Sequence, residues 1–195
     1  MLTVRPGRAG PTQGGDSMAV PKYVALGKVS NGGFDLSGAK GDEIVEASQT
    51  DHTNIALGNG NDTLFAGDSD LSSLGSGTDR YYGARDSAVT AGTGVDTFIY
   101  GVSSKPQSVS MLGTQSIYGY DTSKDSIQLS SSLVTQSQLA ADFMGASHFP
   151  ASGGNGIEVY IPLDGSDGLD IVTKGGGHQN LKQTLKAVED SIKIV

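Results

Sequence analysis

Residues 57–99 read LGNGNDTLFAGDSDLSSLGSGTDRYYGARDSAVTAGTGVDTFI, and one nine-residue unit recurs three times within them: LGNGNDTLF (57–65), LGSGTDRYY (74–82) and AGTGVDTFI (91–99). Each unit has glycine at its second and fourth positions, aspartate at its sixth and an apolar or aromatic residue at its eighth. The aspartates are Asp62, Asp79 and Asp96, two steps of 17 residues. Copies without the glycine pair lie between them and bring Asp51, Asp70 and Asp86. Upstream, SGAKGDEIV (37–45) supplies Asp42, with Lys40 in place of the second glycine. The acids at 42, 51, 62, 70, 79, 86 and 96 span 54 residues in six steps, a mean of 9.0.

A nine-residue unit has two physical halves. Glycines at alternate positions allow a turn with φ > 0 or a close approach of backbones. A stretch such as Thr63-Leu64-Phe65, Arg80-Tyr81-Tyr82 or Thr97-Phe98-Ile99 is a minimal strand with one side chain facing in. Two units close a coil of about 18 residues, so strands stack in parallel and like turns lie above one another. The expected fold is all-β, with a coil over residues 21–103, a β-sandwich-like cap of antiparallel strands over 104–178 and a short helix over 179–195.

Composition agrees. The 195 residues suit one domain or two small ones. Glycine contributes 29 of them, tryptophan and cysteine are absent, and aromatics reach only 6%, so the core is thin and the backbone turns often. Aspartate outnumbers glutamate 17 to 4, a skew that belongs to turns and hard cations rather than to solvated helices. A net charge of -8 and a pI near 4.6 argue against nucleic acid or anionic lipid as partner. The lack of cysteine excludes disulfides, thiolate zinc and thiol catalysis. No apolar run approaches the roughly 20 residues of a membrane helix. Residues 1–20 carry Pro6, Pro11 and four glycines without periodicity, read as a disordered segment with no continuous apolar core for a cleaved leader.

The repeated unit resembles the GGxGxDxUx repeats of RTX (hemolysin-type calcium-binding) proteins, whose parallel β-roll holds Ca²⁺ in its turns. The segments SIYGYDTSKDSIQLSSSL (116–133) and NGIEVYIPLDGSDGLDIVTKGGG (155–177) resemble the strands that close this roll in serralysin-type proteases and in auxiliary modules of alginate epimerases. Ile117–Tyr120, Ser126–Leu129 and Ile157–Ile161 are accordingly expected as capping strands.

The resemblance implies that Ca²⁺ is the cofactor and that stacked turns sandwich it. Asp62 and Asp79 would share one ion and Asp79 and Asp96 the next, with the carbonyls of Gly58, Gly60, Gly75, Gly77, Gly92 and Gly94 completing the shells. Asp42 facing Asp62 would add a third. The row of Asp51, Asp70 and Asp86 lacks the glycines and is expected to form capped turns instead.

The tail HQNLKQTLKAVEDSIKIV places Leu181, Leu185, Val188 and Ile192 on one helical face, with Asn180 as N-cap. It resembles the uncleaved C-terminal secretion signal of RTX proteins. His52, His148 and His178 stand in unrelated contexts, and no HExxH or GxSxG motif occurs, so no enzymatic activity is expected. Asp164, Asp167 and Asp170 read as a hairpin turn rather than a calcium loop. The expectation is a secreted, calcium-folded structural, matrix or surface component of the adhesin or surface-layer kind. Calcium ions, polysaccharide or further copies of the chain are its expected partners. The alternative is a carbohydrate-binding accessory module using Tyr81, Tyr82 and Tyr100.

Overall fold

The computed structural model describes residues 3–4, 22–101, 113–145, 147–150, 156–164, 167–174 and 181–195. The chain passes back and forth between two eight-stranded, mainly parallel sheets. Lys22–Ala25, Glu43–Glu46, Thr63–Phe65, Arg80–Tyr82, Thr97–Tyr100, Ser126–Leu129 and Ile192–Ile194 are parallel neighbours in the first. Gly33–Asp35, Asn54–Ala56, Leu71–Ser73, Ala88–Thr90, Thr114–Tyr120 and Asp167–Thr173 are parallel neighbours in the second. Thr3–Val4 pairs antiparallel with Val24 and Ala25 at the edge of the first sheet, and the rest of residues 1–20 lies outside the described residues.

The eighth position of each repeat faces in. Val24, Val45, Leu64, Tyr81, Phe98 and Ile127 stack in register along the first sheet and are all buried. Ile55, Ser72, Val89, Ile117 and Ile171 form the matching buried rank along the second, with Ser72 its one polar member. Tyr81, Phe98, Tyr100 and Tyr120 pack edge to face or tilted between them, at centroid separations of 5.8–6.4 Å. Strands of three or four residues bury little each, and the stack of like residues makes a continuous core.

The expected antiparallel cap is smaller than the sequence suggested. Ile117–Tyr120 belongs to a strand parallel to Ala88–Thr90, and Ser126–Leu129 is parallel to Thr97–Tyr100. The coil thus runs past residue 103, because Ile117 and Ile127 continue the ranks of Val89 and Phe98. Among the described residues of the expected cap, only Ser147–Pro150, Ile157–Asp164 and Asp167–Thr173 are joined antiparallel.

Helix α1 (Gln136–Gly145) was not anticipated. It opens with a reciprocal cap: Thr135 Oγ1 accepts the Gln138 amide at 3.3 Å, and Gln138 Oε1 accepts the Thr135 amide at 2.8 Å. Helix α2 (Leu181–Ser191) buries Val188 and packs Leu185 against the core, as its periodicity indicates. Ile192 is no longer helical: it starts the strand that completes the first sheet. Asn180 lies outside the described residues.

The glycine turns stack backbone on backbone. A Cβ on Gly94 would sit 1.7 Å from the Gly77 carbonyl oxygen, and one on Gly77 would sit 1.8 Å from that of Gly60. The opposite turns instead hold Asn31, His52, Ser69 and Asp86 at φ of 52–56°. We therefore expect Gly94→Ala to lose about 1–3 kcal/mol in urea unfolding through forced separation of two coils. Gly27→Ala, whose Cβ would meet nothing within 4 Å, should stay within about 0.5 kcal/mol of wild type.

Candidate cation site at the glycine turns

The residue that ends each glycine turn and enters the first sheet has the inward parity of the core. These positions form one column, Glu43, Asp62, Asp79, Asp96 and Asp125, respectively 4, 1, 0, 1 and 6% exposed. One oxygen of each aspartate holds the amide one coil back. Asp62 Oδ1 accepts from Glu43 N and Asp79 Oδ1 from Asp62 N, both at 2.8 Å. Asp96 Oδ1 accepts from Asp79 N at 3.4 Å and Asp125 Oδ1 from Asp96 N at 3.0 Å. The column is therefore a ladder of carboxylates, each locking the register of its neighbour.

The second oxygens divide the column. Asp96 Oδ2 accepts the Gly92 amide at 3.1 Å, and Asp125 Oδ2 the Asp121 amide at 2.8 Å. Asp62 Oδ2, Asp79 Oδ2 and Glu43 Oε2 are buried with no hydrogen-bond donor. A buried carboxylate oxygen without donor or cation is costly, about 1–3 kcal/mol for a neutral group and more for a charged one. Burial pushes the Asp79 carboxyl up to about 7, with the charges of Asp96, Asp62 and Asp42 adding to it against the opposing Asp62 amide. Burial likewise raises Asp125 to about 6 and moves Asp62 and Asp96 upward. Glu43 is raised by burial first and by the adjacent Asp62 carboxylate second.

The turns bring together the glycines singled out in the sequence, in two stacks. Ala39, Gly58, Gly75 and Gly92 form one, and Gly41, Gly60, Gly77 and Gly94 the other. Their carbonyls are not idle: Gly58 O accepts from Ser76 N at 3.0 Å, Gly75 O from Thr93 N at 2.9 Å and Gly77 O from Val95 N at 3.0 Å. Each keeps a second lone pair for a cation. Among the described residues no three His, Cys, Asp or Glu side chains converge as a metal centre. A cation here would sit between two stacked carboxylates and draw its remaining oxygens from backbone.

Asp42 does not face Asp62. It stands one position earlier, where its Oδ1 accepts the Asn61 amide at 2.8 Å, and Glu43 takes the inward place. The upstream unit is GAKGDEIVE (38–46), with Gly41 fourth, Glu43 sixth and Val45 eighth, one residue out of the frame that Asp42 suggested. Asp125 was also overlooked, although Asp125-Ser126-Ile127 has the Asp-x-apolar form of Asp62-Thr63-Leu64.

On the opposite side Asp51, Asp70 and Asp86 do not share a rank. Asp70 is buried and fully used, accepting from Thr53 N at 2.9 Å, from Gly67 N at 2.8 Å and from the Thr50 hydroxyl. Asp51 meets the exposed His52 Nδ1 at 2.8 Å, and Asp86 Oδ1 accepts from Thr114 N at 3.1 Å. Thr53, Asp70, Ser87 and Gln115 are the true in-register set, all buried. The side chain of His148 and all of His178 lie outside the described residues. Asp164 and Asp167 end an antiparallel hairpin. Tyr81 and Tyr100 are interior, and Tyr82 stacks on Phe65 at 4.5 Å and 19°, so each ring spends one face on the other.

The raised carboxyls set a pH dependence for the metal-free chain. Between the ordinary aspartate value of 3.8 and about 7, the folded state keeps a proton on Asp79 that the unfolded chain has released, so stability falls as pH rises. Far-UV circular dichroism in chelator should show more β structure at pH 5 than at pH 8; equal or greater content at pH 8 would contradict the buried column. Comparison with known proteins returns no family model, no curated protein and no solved structure that matches the chain.

Proposed function

We propose that the chain is a secreted calcium-binding protein of the RTX kind, whose coil is a calcium-held β-roll and which acts as a structural, matrix or surface component. The observation that carries this reading is the pair of donorless buried oxygens on Asp62 and Asp79 beside turns whose backbones are stacked too closely for any side chain. Oxygen-only donors, both carboxylate and carbonyl, suit a hard cation that accepts 6 to 8 ligands at about 2.3–2.6 Å. Asp62 and Asp79 are the best-prepared pair; Asp79 and Asp96 are the next, although Asp96 already takes the Gly92 amide.

Cation binding to the folded state alone adds RT ln(1 + [L]/Kd) per site, about 2.7 kcal/mol at a hundredfold excess. Extracellular calcium modules work at about 10⁻⁴ to 10⁻³ M, which confines folding to the outside of a cell. The tail fits the same order of events. Ile192–Ile194 is the last strand of the first sheet and Val188 is buried, so a signal in this segment is legible only before folding. Among the described residues no helix is long and apolar enough to cross a membrane.

Calcium titrated from micromolar to 10 mM at pH 7.5 should convert coil to β structure in circular dichroism, and chelator should reverse it. Asp79→Ala should raise the midpoint calcium concentration at least tenfold. Asp70→Ala should lower stability by about 1–3 kcal/mol by stranding the Thr53 and Gly67 amides, and should shift the midpoint less than Asp79→Ala does, because it removes no ligand. The opposite pattern, a midpoint governed by Asp70, would remove the basis for this reading.

A further inference from the structure

We infer that Glu43, a residue outside the aspartate series, is a cation ligand, and that with Asp62 it forms a separate site at the N-terminal end of the column. The inference rests on the calcium reading above and extends it to a position where the repeat pattern fails. Glu43 and Asp62 are 4% and 1% exposed; no other group donates to Glu43 Oε2 or Asp62 Oδ2, and the two carboxyl groups lie close enough to share a proton when one is protonated. The Glu43 amide donates to Asp62 Oδ1 at 2.8 Å, which fixes the two residues side by side across adjacent coils. Two buried carboxyl groups in this position need something positive between them. A proton can serve in acid; a divalent cation serves where both are ionised.

The backbone explains why glutamate stands there. The step from Glu43 to Asp62 is 19 residues, against 17 between Asp62 and Asp79. The two extra residues lie in the opposite turn, between Glu46 and Asn54, while the turn that enters Glu43 carries Ala39 where later turns have glycine. Lys40 pairs with Asn59 through a backbone bridge and is exposed, and the cation that acts on Glu43 is Lys22. Asp42 is spent on the Asn61 amide, on the outer side. Lys22, the register partner of Glu43 beyond the column, is exposed, and its charge favours ionised Glu43. The extra methylene of glutamate supplies reach that aspartate would lack, and its carboxylate can bind calcium through both oxygens.

The test is calcium bound per chain, counted by equilibrium dialysis with elemental analysis on the full chain at saturating calcium. Glu43→Gln, which keeps shape and removes the charge, should lose one ion relative to wild type while keeping its β signal. Asp42→Asn should keep the wild-type count. A Glu43→Gln count equal to wild type, or an ion lost by Asp42→Asn, overturns the assignment while the calcium reading stands. Wild-type chain that binds no calcium overturns both. If Glu43→Gln fails to fold, Glu43→Asp decides: it retains the carboxylate, and one site should weaken at least tenfold in calorimetric titration. Unchanged affinities for Glu43→Asp overturn the assignment.

Discussion

Everything in this molecule is set by the contact of one glycine turn with the next. Where Gly94 lies over Gly77, and Gly77 over Gly60, the carbonyl below occupies the volume a side chain would need. That contact fixes the spacing of the coils, and from Asp62 to Asp96 it superposes residues 17 apart. Superposition then dictates the rest. Leu64, Tyr81 and Phe98 become one apolar rank, and Asp62, Asp79 and Asp96 one buried acidic rank. The fold cannot have the first without the second, and a column of buried carboxylates is unstable unless protons, amides or cations answer it.

The two turn columns answer that demand differently. On the glycine side the backbone is drawn so tight that its amides pair with the coil above or below, and carboxylate oxygens are left over at Asp62 and Asp79. On the other side residues such as His52 and Ser69 take the left-handed conformation themselves, and the turn curls around its own acid. Asp70 then collects Gly67 N, Thr53 N and the Thr50 hydroxyl. A left-handed residue with a side chain is strained by about 1–2 kcal/mol relative to glycine, and the satisfied aspartate offsets that strain. One column is closed by protein groups, and the other keeps buried carboxylate oxygens without a partner.

How far this was legible in the sequence follows from the same geometry. The glycine pair, the 17-residue step and the inward eighth position are local facts, and they carried the parallel coil and the positions of Asp62, Asp79 and Asp96 directly. The frame slipped at Asp42 because two extra residues lie in that coil, and Asp-Glu offers two adjacent acids of which only the second has inward parity. Asp51, Asp70 and Asp86 were grouped by nearness to a nine-residue period, yet without glycines nothing in their spelling fixes register. The step from Asp96 to Asp125 is 29 residues, so the resumption of the coil at Ile127 is a long-range fact that no short period reveals. Helix α1 carries a local mark, Thr135 three residues before Gln138, but no strong apolar periodicity follows it.

The column is also graded along its length. At its C-terminal end Asp125 gives both oxygens to amides, its carbonyl accepts the Tyr120 hydroxyl at 3.0 Å, and that hydroxyl also reaches Ser191 at 2.7 Å. At its N-terminal end Glu43, Asp62 and Asp79 each keep an oxygen unanswered. In a solenoid, stability is close to a sum of unit and nearest-neighbour contributions, so a gradient of unmet electrostatic demand becomes a gradient of order. The coils around Asp96 and Asp125 are complete with protein groups alone. Those around Glu43 to Asp79 keep buried oxygens that no protein group answers, so in the bare chain order weakens toward the N-terminal end.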